Sequence, residues 1–359
     1  MRKIILQVHL LVALIAGAFI AVLGATGSVI AFEPELDRLT HAHLSYVSPS
    51  GRVLTLQEIG DAVSRKSGGE PIVAYLLSES PDISWEVVLP RGIASVNQYT
   101  GEVLGVRTRG QSALGFAREL HVRLASGDAG RNIAKWSGVA TLISVTSGLY
   151  LWWPAKRMRI RGFRRNRSFW FELHNSAGIF LLVPLFVLAA TGAVIGFEDQ
   201  ASRLLGKLNR PHTIRSGETA TSPRTMPCAA EITTDQAVAI ARAQMPGAVL
   251  YRVQMPRYGG AYRVSLDDPQ DRVAGARNLM VIDRCSGDVI SSSRSSDLLL
   301  AERILAANEA IHTGEVLGMP SRILACLTSV AVPVQVISGL LLWLRRRKIM
   351  PTAERGGVV

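Results

Sequence analysis

The sequence contains only three cysteines, which limits the covalent chemistry available to it. It has no Cys-x-x-Cys-His motif, so covalent attachment of a c-type haem is excluded. Cys326 lies within an apolar run and is expected to be a small packing residue. Cys228 and Cys285 fall in one polar segment, where an oxidising exterior would favour a disulfide between them; two unpaired thiols are the alternative.

A nucleotide-binding fingerprint and a flavin domain are also missing, so the chain has no recognisable site for either kind of electron-carrying cofactor. Acidic residues are few: 28 Asp and Glu stand against 40 Lys and Arg, for a net charge of +12. Such an excess can indicate nucleic-acid binding, but here the basic residues cluster beside apolar runs. We therefore expect the lipid bilayer, and no nucleic acid, as the partner of this charge.

Long apolar runs are what the sequence has in abundance, since 48% of its residues are hydrophobic. Four runs are long enough to cross a bilayer as helices, and they cover residues 4–32, 136–154, 169–197 and 322–345. The first run is longer than the apolar core of a signal peptide, which favours a retained anchor over a cleaved signal. The runs predict a multi-pass α-helical membrane protein.

Three basic clusters predict the orientation of these helices. Cytoplasmic loops carry an excess of Lys and Arg, so each cluster is expected on the cytoplasmic side. Both termini are then cytoplasmic, and the two long polar segments lie outside. The clusters are Arg2 and Lys3 before the first run, the loop at residues 155–168 with Lys156, Arg157, Arg159, Arg161, Arg164, Arg165 and Arg167, and Arg345, Arg346, Arg347 and Lys348 after the fourth.

Each long polar segment has the pattern of a small α+β module, at residues 46–110 and 228–296. The first module begins with Thr55, followed three residues later by Glu58 and then by apolar residues at helical spacing, which predicts a capped helix. Thr233 and Gln236 start the same pattern in the second module. Strand-like stretches and a hairpin follow the helix in both modules.

The sequence repeats itself at two constant offsets. An offset of 165 residues relates His9 to His174 and also Glu33 to Glu198, at the two ends of the first and third apolar runs. An offset of 191 residues relates His121 to His312 and Arg131 to Arg322, and it continues to Trp152 and Trp343. The chain is thus predicted to be a tandem duplication, with four transmembrane helices in two parallel repeats that pair around an axis along the membrane normal.

The repeated histidines are the candidate functional residues. His9 and His174 start outward-going helices, so they are expected near the cytoplasmic face, whereas His121 and His312 are expected near the periplasmic face. Pairing of the repeats would bring one histidine from each half together in each layer. Two facing imidazoles are the axial ligands of a low-spin b-type haem, so the sequence predicts His9–His174 and His121–His312 as haem-iron ligand pairs.

Other residues near these helices fit a haem. Arg131 and Arg322 stand at the membrane boundary, where a guanidinium could pair with haem propionates. Small residues would let helices pack on a flat macrocycle: Gly17, Gly24, Gly27, Gly178 and Gly192. The alternative interpretation is that the histidines reach to the lipid headgroups, although recurrence in both halves makes this a weaker explanation.

The chain resembles a known family at several of these motifs. The two capped modules, with Tyr-Thr-Gly-Glu at residues 99–102 and Cys-Ser-Gly-Asp at residues 285–288, are similar to PepSY domains. The segments Ser-Gly-Leu-Tyr-Leu-Trp-Trp-Pro at residues 147–154 and His-Thr-Gly-Glu at residues 312–315 resemble PepSY-associated transmembrane proteins. The resemblance extends from about His9 to Arg347.

This resemblance implies an inner-membrane protein regulated by iron and similar to siderophore-iron reductases, which carry two b-type haems. His9, His174, His121 and His312 stand at the matching ligand positions. One electron passed outward would reduce Fe(III) in a periplasmic ferric siderophore, which holds Fe(II) much less tightly. The electron donor is left open between a partner protein, a quinol and a soluble reductant, and a homodimer is also left open.

Other functions fit parts of the sequence. A non-enzymatic PepSY membrane protein that binds or regulates an envelope peptidase or another partner is the main alternative, and it would need no paired histidines. A transporter with parallel repeats fits less well, because four crossings are few. His41, His43 and His212 are expected to be exposed loop residues.

Overall fold

The computed structural model describes residues 1–108, 112–154, 167–208, 228, 230–256, 260–269 and 275–347. His212, Lys348 and most of the basic loop at residues 155–168 lie outside this part of the chain. The described residues contain helices at α1 (Arg2–Ile30), α2 (Glu33–Thr40), α3 (Ala42–Ser45), α4 (Leu56–Ser67), α5 (Ala113–Arg123), α6 (Gly127–Trp152), α7 (Arg167–Phe180), α8 (Leu182–Gly196), α9 (Glu198–Leu208), α10 (Thr234–Gln244), α11 (Leu300–Thr313) and α12 (Met319–Arg347).

The strands of the described residues are short and follow α4 and α10. They are β1 (Ala74–Leu76), β2 (Trp85–Val88), β3 (Gly92–Val96), β4 (Val103–Thr108), β5 (Val249–Gln254), β6 (Ala261–Asp267), β7 (Asn278–Asp283) and β8 (Val289–Ser293). The chain divides into two units. A helical unit comprises Met1–Phe32, Phe116–Ala201 and Asn308–Val359, and a sheet unit comprises Glu33–Gly115 and Ser202–Ala307.

Two helices of the helical unit, α1 and α12, are long and apolar enough to cross a membrane. A third candidate is the pair α7 and α8, which passes the same test only when both helices are taken together. The second predicted run corresponds to α6, which is not among these candidates. The molecule is therefore a membrane protein, and its helices α1 and α12 lie near the two ends of the chain.

The third run differs from the single helix that its composition predicts, because it breaks at Leu181. The two halves, α7 and α8, are bent by 65°. Pro184 explains the position of the break. A proline has no N–H to bond the carbonyl four residues earlier, here that of Phe180, and its ring collides with that carbonyl.

Helices α1 and α12 approach each other closely at Gly24. A Cβ atom on Gly24 would lie 2.9 Å from the carbonyl oxygen of Ser329 and 2.7 Å from Cβ of Val332. Pro333 lies inside α12 and removes the N–H that would bond this carbonyl of Ser329. The carbonyl of Ser329 faces the glycine, and only a residue without a side chain allows this contact.

The sheet unit contains one eight-stranded antiparallel sheet in the order β4-β3-β2-β1-β5-β6-β7-β8. Each predicted module contributes four consecutive strands. The two sets join where Tyr75 of β1 pairs with Val253 of β5. The modules are thus two halves of one sheet, because pairing these two strands satisfies backbone groups that would otherwise remain at two open edges.

The predicted capped helices are present as α4 and α10. Thr55 and Glu58 form a reciprocal capping box at α4, and Thr233 and Gln236 form one at α10. Both helices pack on the same face of the sheet in one hydrophobic core. Its fully buried members include Ile59, Val63, Val87, Val96, Ala237, Val253, Val264, Leu266, Met280 and Ile282.

Candidate cofactor site

The four repeated histidines meet in two pairs within the helical unit. The ring centres of His9 on α1 and His174 on α7 are 6.3 Å apart. Those of His121 on α5 and His312 on α11 are 6.2 Å apart. These are the pairs that the order of the helices predicts. The name inner pair is used below for His9 and His174, and outer pair for His121 and His312.

A single turn of α1 holds His121. The Nδ1 atom of this ring lies 2.9 Å from the carbonyl oxygen of Leu23 and 3.3 Å from Oγ1 of Thr26. Gly27 follows directly, and a Cβ atom on it would lie 3.0 Å from Cε1 of the ring. The imidazole therefore rests against bare backbone, with its Nδ1 edge turned toward α1.

His312 is held in the same way by α8. Its Nδ1 atom lies 3.1 Å from the carbonyl oxygen of Leu188 and 3.0 Å from Oγ1 of Thr191. A Cβ atom on Gly192 would lie 2.9 Å from Cε1 of His312. The three residues that hold His312 correspond, at an offset of 165, to the three that hold His121.

Helices α12 and α6 hold the two rings of the inner pair in the same way. Nδ1 of His174 lies 3.0 Å from both the carbonyl oxygen of Gln335 and Oγ of Ser338. Nδ1 of His9 lies 2.9 Å from Oγ of Ser147, and its ring also forms a hydrogen bond with the backbone of Ser144.

Glycines again pack against both rings of the inner pair. A Cβ atom on Gly339 would lie 3.0 Å from Cε1 of His174, and one on Gly148 would lie 3.4 Å from Cε1 of His9. All four rings are therefore held by a backbone group, a hydroxyl three residues later and a glycine after that.

These contacts determine which ring nitrogen carries the proton. A carbonyl oxygen can only accept, so Nδ1 of each ring must be the donor. The hydroxyls already donate elsewhere: Thr26 to the carbonyl of Val22 at 2.7 Å and Thr191 to that of Val187 at 2.7 Å. The Nε2 nitrogens make no hydrogen bond within the described residues, so their lone pairs are free to bind a metal.

The spacing of each pair fits one metal ion between two imidazoles. Metal–nitrogen bonds of about 2 Å on both sides, added to the distance from Nε2 to each ring centre, place the centres roughly 6 Å apart. Within the described residues, no group of three or more His, Cys, Asp or Glu side chains could hold a metal. A pair of histidines therefore suits a metal whose other ligands come from a macrocycle, as in haem.

The contacts defined for Arg322 are with the two residues that follow α1. Arg322 donates to the carbonyl oxygen of Ala31 through Nη2 at 2.7 Å, and its guanidinium lies 4.9 Å from the ring centre of Phe32. The side chain of Arg131 is exposed. A role of these arginines in binding propionates stays a prediction.

The predicted glycines have three kinds of neighbour. Gly27 and Gly192 face the histidines of the outer pair, as described above. Gly17 and Gly24 face Val336 and Val332 of α12, so they bring helices together without touching a histidine. Gly178 faces the side-chain amide of Gln335.

His41, His43, Cys228 and Cys285 lie in the sheet unit. His43 is exposed, as expected, although it lies in α3 and not in a loop. His41 differs from the expectation of an exposed residue, because it is half-buried and pairs with Asp37 at 3.1 Å. Asp37 also pairs with Arg107, which fixes this histidine in an ion network. Cys228 and Cys285 form a disulfide with their Cα atoms 5.5 Å apart.

Sequence reasoning missed the residues that orient the histidines. Each of the four rings is held by a Ser-Gly or Thr-Gly dipeptide, at residues 26–27, 147–148, 191–192 and 338–339. These dipeptides stand at the two repeat offsets, and that recurrence was the available signal. Their role could not be assigned from it, because they lie on different helices from the histidines that they contact.

The fold and the site together define a membrane protein with paired histidines in a helical unit and an antiparallel sheet in a second unit. The chain belongs to the family of the PepSY-associated TM region, whose profile matches residues 6–346. A search of curated proteins finds no significant match.

Proposed function

We propose that this protein is a membrane electron-transfer protein that binds two b-type haems, one at the inner pair and one at the outer pair. The observation that carries the proposal is the geometry of the pairs. In both, two imidazoles stand at the spacing of axial ligands, with Nδ1 engaged and Nε2 free. Headgroup contact would explain single histidines at a membrane boundary, but it does not explain two pairs of rings held with their centres 6.3 Å and 6.2 Å apart by neighbouring helices.

The proposed topology has four crossings in two parallel repeats, with both termini in the cytoplasm and the sheet unit in the periplasm of the bacterial inner membrane. In it, α6 and the bent pair α7–α8 are the second and third crossings. The recurrence of the ring contacts supports the repeats: Leu23, Thr26 and Gly27 hold one outer ring, and their equivalents hold the other. The inner pair then lies toward the cytoplasm and the outer pair toward the periplasm.

Haem bound at these pairs would supply one-electron chemistry through the Fe(III)/Fe(II) couple. The residues of the chain have three tasks. The carbonyls of Leu23, Leu188 and Gln335 keep the Nδ1 proton in place, the glycines fix the plane of each ring, and the apolar helices exclude water from the histidines. Arg131 and Arg322 are the proposed partners of the propionates.

We propose a ferric siderophore as the substrate, on the basis of the family resemblance. Reduction of Fe(III) to Fe(II) in the periplasm weakens the hold of oxygen ligands on the metal and releases it. The enzyme would be a ferric-siderophore reductase, with electrons that enter from the cytoplasmic side or the quinol pool. A homodimer remains open under this proposal.

The test is the visible spectrum of the full-length protein, purified in detergent from haem-replete cells. The expected result is a sharp α-band on reduction and about two haems per chain. The double variant H9A/H174A should lose one haem, as should H121A/H312A. The cross-pair variant H9A/H121A should lose both haems, because it removes one ligand from each pair. H43A, an exposed histidine, is the control.

A protein without a Soret band under these conditions would rule out the electron-transfer proposal. Equal loss from within-pair and cross-pair variants would instead refute the assignment of the pairs. Only the first result, the absence of haem, would favour the second candidate, a non-enzymatic membrane protein that binds an envelope peptidase or another partner.

One observation favours that second candidate. The sheet ends in β8, which pairs only with β7 in the sheet and carries partly exposed Val289 and Ile290. An edge strand of this kind can add a strand from a partner. The haem content distinguishes the two candidates, because a partner-binding protein has no need of the four histidines.

A further inference from the structure

Buried polar atoms without a partner are distributed unevenly within the helical unit. Among the described residues of this unit, four side chains carry such an atom: Ser144 Oγ, Trp170 Nε1, Ser176 Oγ and Gln335 Oε1. Trp170 and Ser176 lie within four residues of His174 on α7. Ser144 and Gln335 are the residues whose backbone groups bond His9 and His174. All four therefore belong to the surroundings of the inner pair.

Ser144 and Gln335 lie on the faces of α6 and α12 that contact the inner pair. Each stands three residues before the serine that contacts a ring, Ser147 or Ser338, and residues three apart on a helix share a face. Gln335 also donates through Nε2 to the carbonyl oxygen of His174 at 2.8 Å. This bond determines the orientation of the amide and leaves Oε1 as a buried acceptor with no donor in the described residues.

The outer pair has no such atoms at the corresponding positions. The residues whose carbonyls bond His121 and His312 are Leu23 and Leu188, three residues before Thr26 and Thr191. The two layers thus have the same hydrogen bonds to Nδ1 and the same glycines. They differ at the residue whose backbone bonds the ring. This residue has a polar side chain at the inner pair and an apolar side chain at the outer pair.

We infer that this difference orders the reduction potentials of the two layers and gives electron transfer its outward direction. The inference rests on the proposed function. A ferric haem carries one positive charge more than a ferrous haem, and in a medium of low dielectric constant this charge is stabilised by nearby polar atoms. Ser144 and Gln335 therefore lower the potential at the inner pair, and Leu23 and Leu188 raise it at the outer pair.

The step is a single electron transfer without a proton or a leaving group. Haem bound at the inner pair would give up one electron, Fe(II) to Fe(III), and haem bound at the outer pair would take it up, Fe(III) to Fe(II). The polar atoms of Ser144 and Gln335 stabilise the product of the first change. Leu23 and Leu188 provide no polar atom to stabilise the positive charge of Fe(III) at the outer pair. The reduced state is therefore favoured there, and the electron is held on the periplasmic side.

The test is a spectroelectrochemical titration of the full-length protein in lipid nanodiscs. H9A and H121A, each of which removes a ligand from one layer only, assign the two midpoint potentials. The inner potential is expected to be the lower one. Q335L should raise the inner potential and leave the outer one unchanged, and L188Q should lower the outer potential only. Q7L is the control, because Gln7 is exposed on the same end of α1 as His9.

Each outcome separates this inference from the proposed function. Two haems with equal or reversed potentials, or a Q335L variant that shifts neither potential, would overturn the inference and leave the haem proposal intact. A protein without haem would overturn both. If Q335L loses haem, S144A tests the same prediction, because it removes only a hydroxyl and should raise the inner potential by a smaller amount.

Discussion

Gly192 packs against the ring of His312 so closely that a Cβ atom would lie 2.9 Å from Cε1. In a helix, alanine is favoured over glycine by about 1 kcal/mol, so a glycine at this position gives up helix stability. The close contact with the imidazole explains why a larger residue does not fit. The same relationship joins Gly339 and His174 at 3.0 Å.

The first prediction concerns these contacts. G192A should stabilise α8 locally but displace His312, and the haem content should fall to about one per chain. G148A should leave the content unchanged, because a Cβ atom there would lie 3.4 Å from His9, an ordinary contact distance. Haem per chain by pyridine haemochrome is the measurement. A G192A variant that keeps two haems per chain would show that the contact with the glycine is unimportant.

The second prediction compares the contributions of Arg322 and its repeat equivalent, Arg131, to the stability of the helical unit. R322Q should destabilise the helical unit by about 1.5–3 kcal/mol, because it removes charged hydrogen bonds to the carbonyl of Ala31. R131Q should change stability by no more than about 0.5 kcal/mol, since the side chain is exposed. Thermal unfolding in detergent compares the two. A larger loss in R131Q would contradict the assignment of Arg322 as the structural residue.

The third prediction concerns Asp235, which joins the two halves of the sheet unit. Its carboxylate accepts from the backbone N–H groups of Leu56 at 2.9 Å and Gln57 at 3.0 Å, at the start of α4. D235A should cost about 1–2 kcal/mol, because these amides lose a charged cap at the positive end of the helix. Hydrogen exchange of the first turn of α4 should accelerate. D288A, in an exposed turn, is the control and should leave that exchange unchanged.

The fourth prediction is a pH dependence at Glu58. The hydrogen bond from Arg52, at 2.8 Å, and that from the N–H of Thr55 lower the pKa of Glu58 from 4.5 to about 2. The ionised carboxylate therefore contributes stability above pH 4.5, and this contribution is lost as the pH falls from 4.5 toward 2.

The matched variant for this prediction is E58Q. Gln236 shows that a glutamine can complete the same capping box without a charge. The thermal stability of the wild type should therefore fall more steeply than that of E58Q between pH 5.5 and 3. Parallel pH curves for the two proteins would show that the ion pair with Arg52 contributes nothing.

The fifth prediction concerns the disulfide between Cys228 and Cys285, which are 57 residues apart in sequence. A loop of this length should stabilise the sheet unit by about 4 kcal/mol through the smaller entropy of the unfolded chain. C228S and C285S should lower the unfolding temperature equally under oxidising conditions, and a reductant should remove the difference from wild type. C326S is the control and should not respond to the reductant.

The histidine pairs show how far the sequence could be interpreted. The apolar runs, the basic clusters and the two offsets predicted which histidines come together, because repeats in a membrane have few ways to pair. The capping boxes at Thr55 and Thr233 were equally visible, since a cap depends only on residues within one turn.

By itself, the sequence determined local and periodic features: the apolar helices, the capped helices and the recurrence of the histidines. The tertiary structure decided the rest. The joining of β1 to β5 depends on backbone groups that no composition reveals, and the bend at Leu181 depends on how the chain accommodates Pro184. The contacts of the Ser-Gly and Thr-Gly dipeptides with the histidines arise only when separate helices pack, because the partners are 95 to 164 residues apart in the sequence.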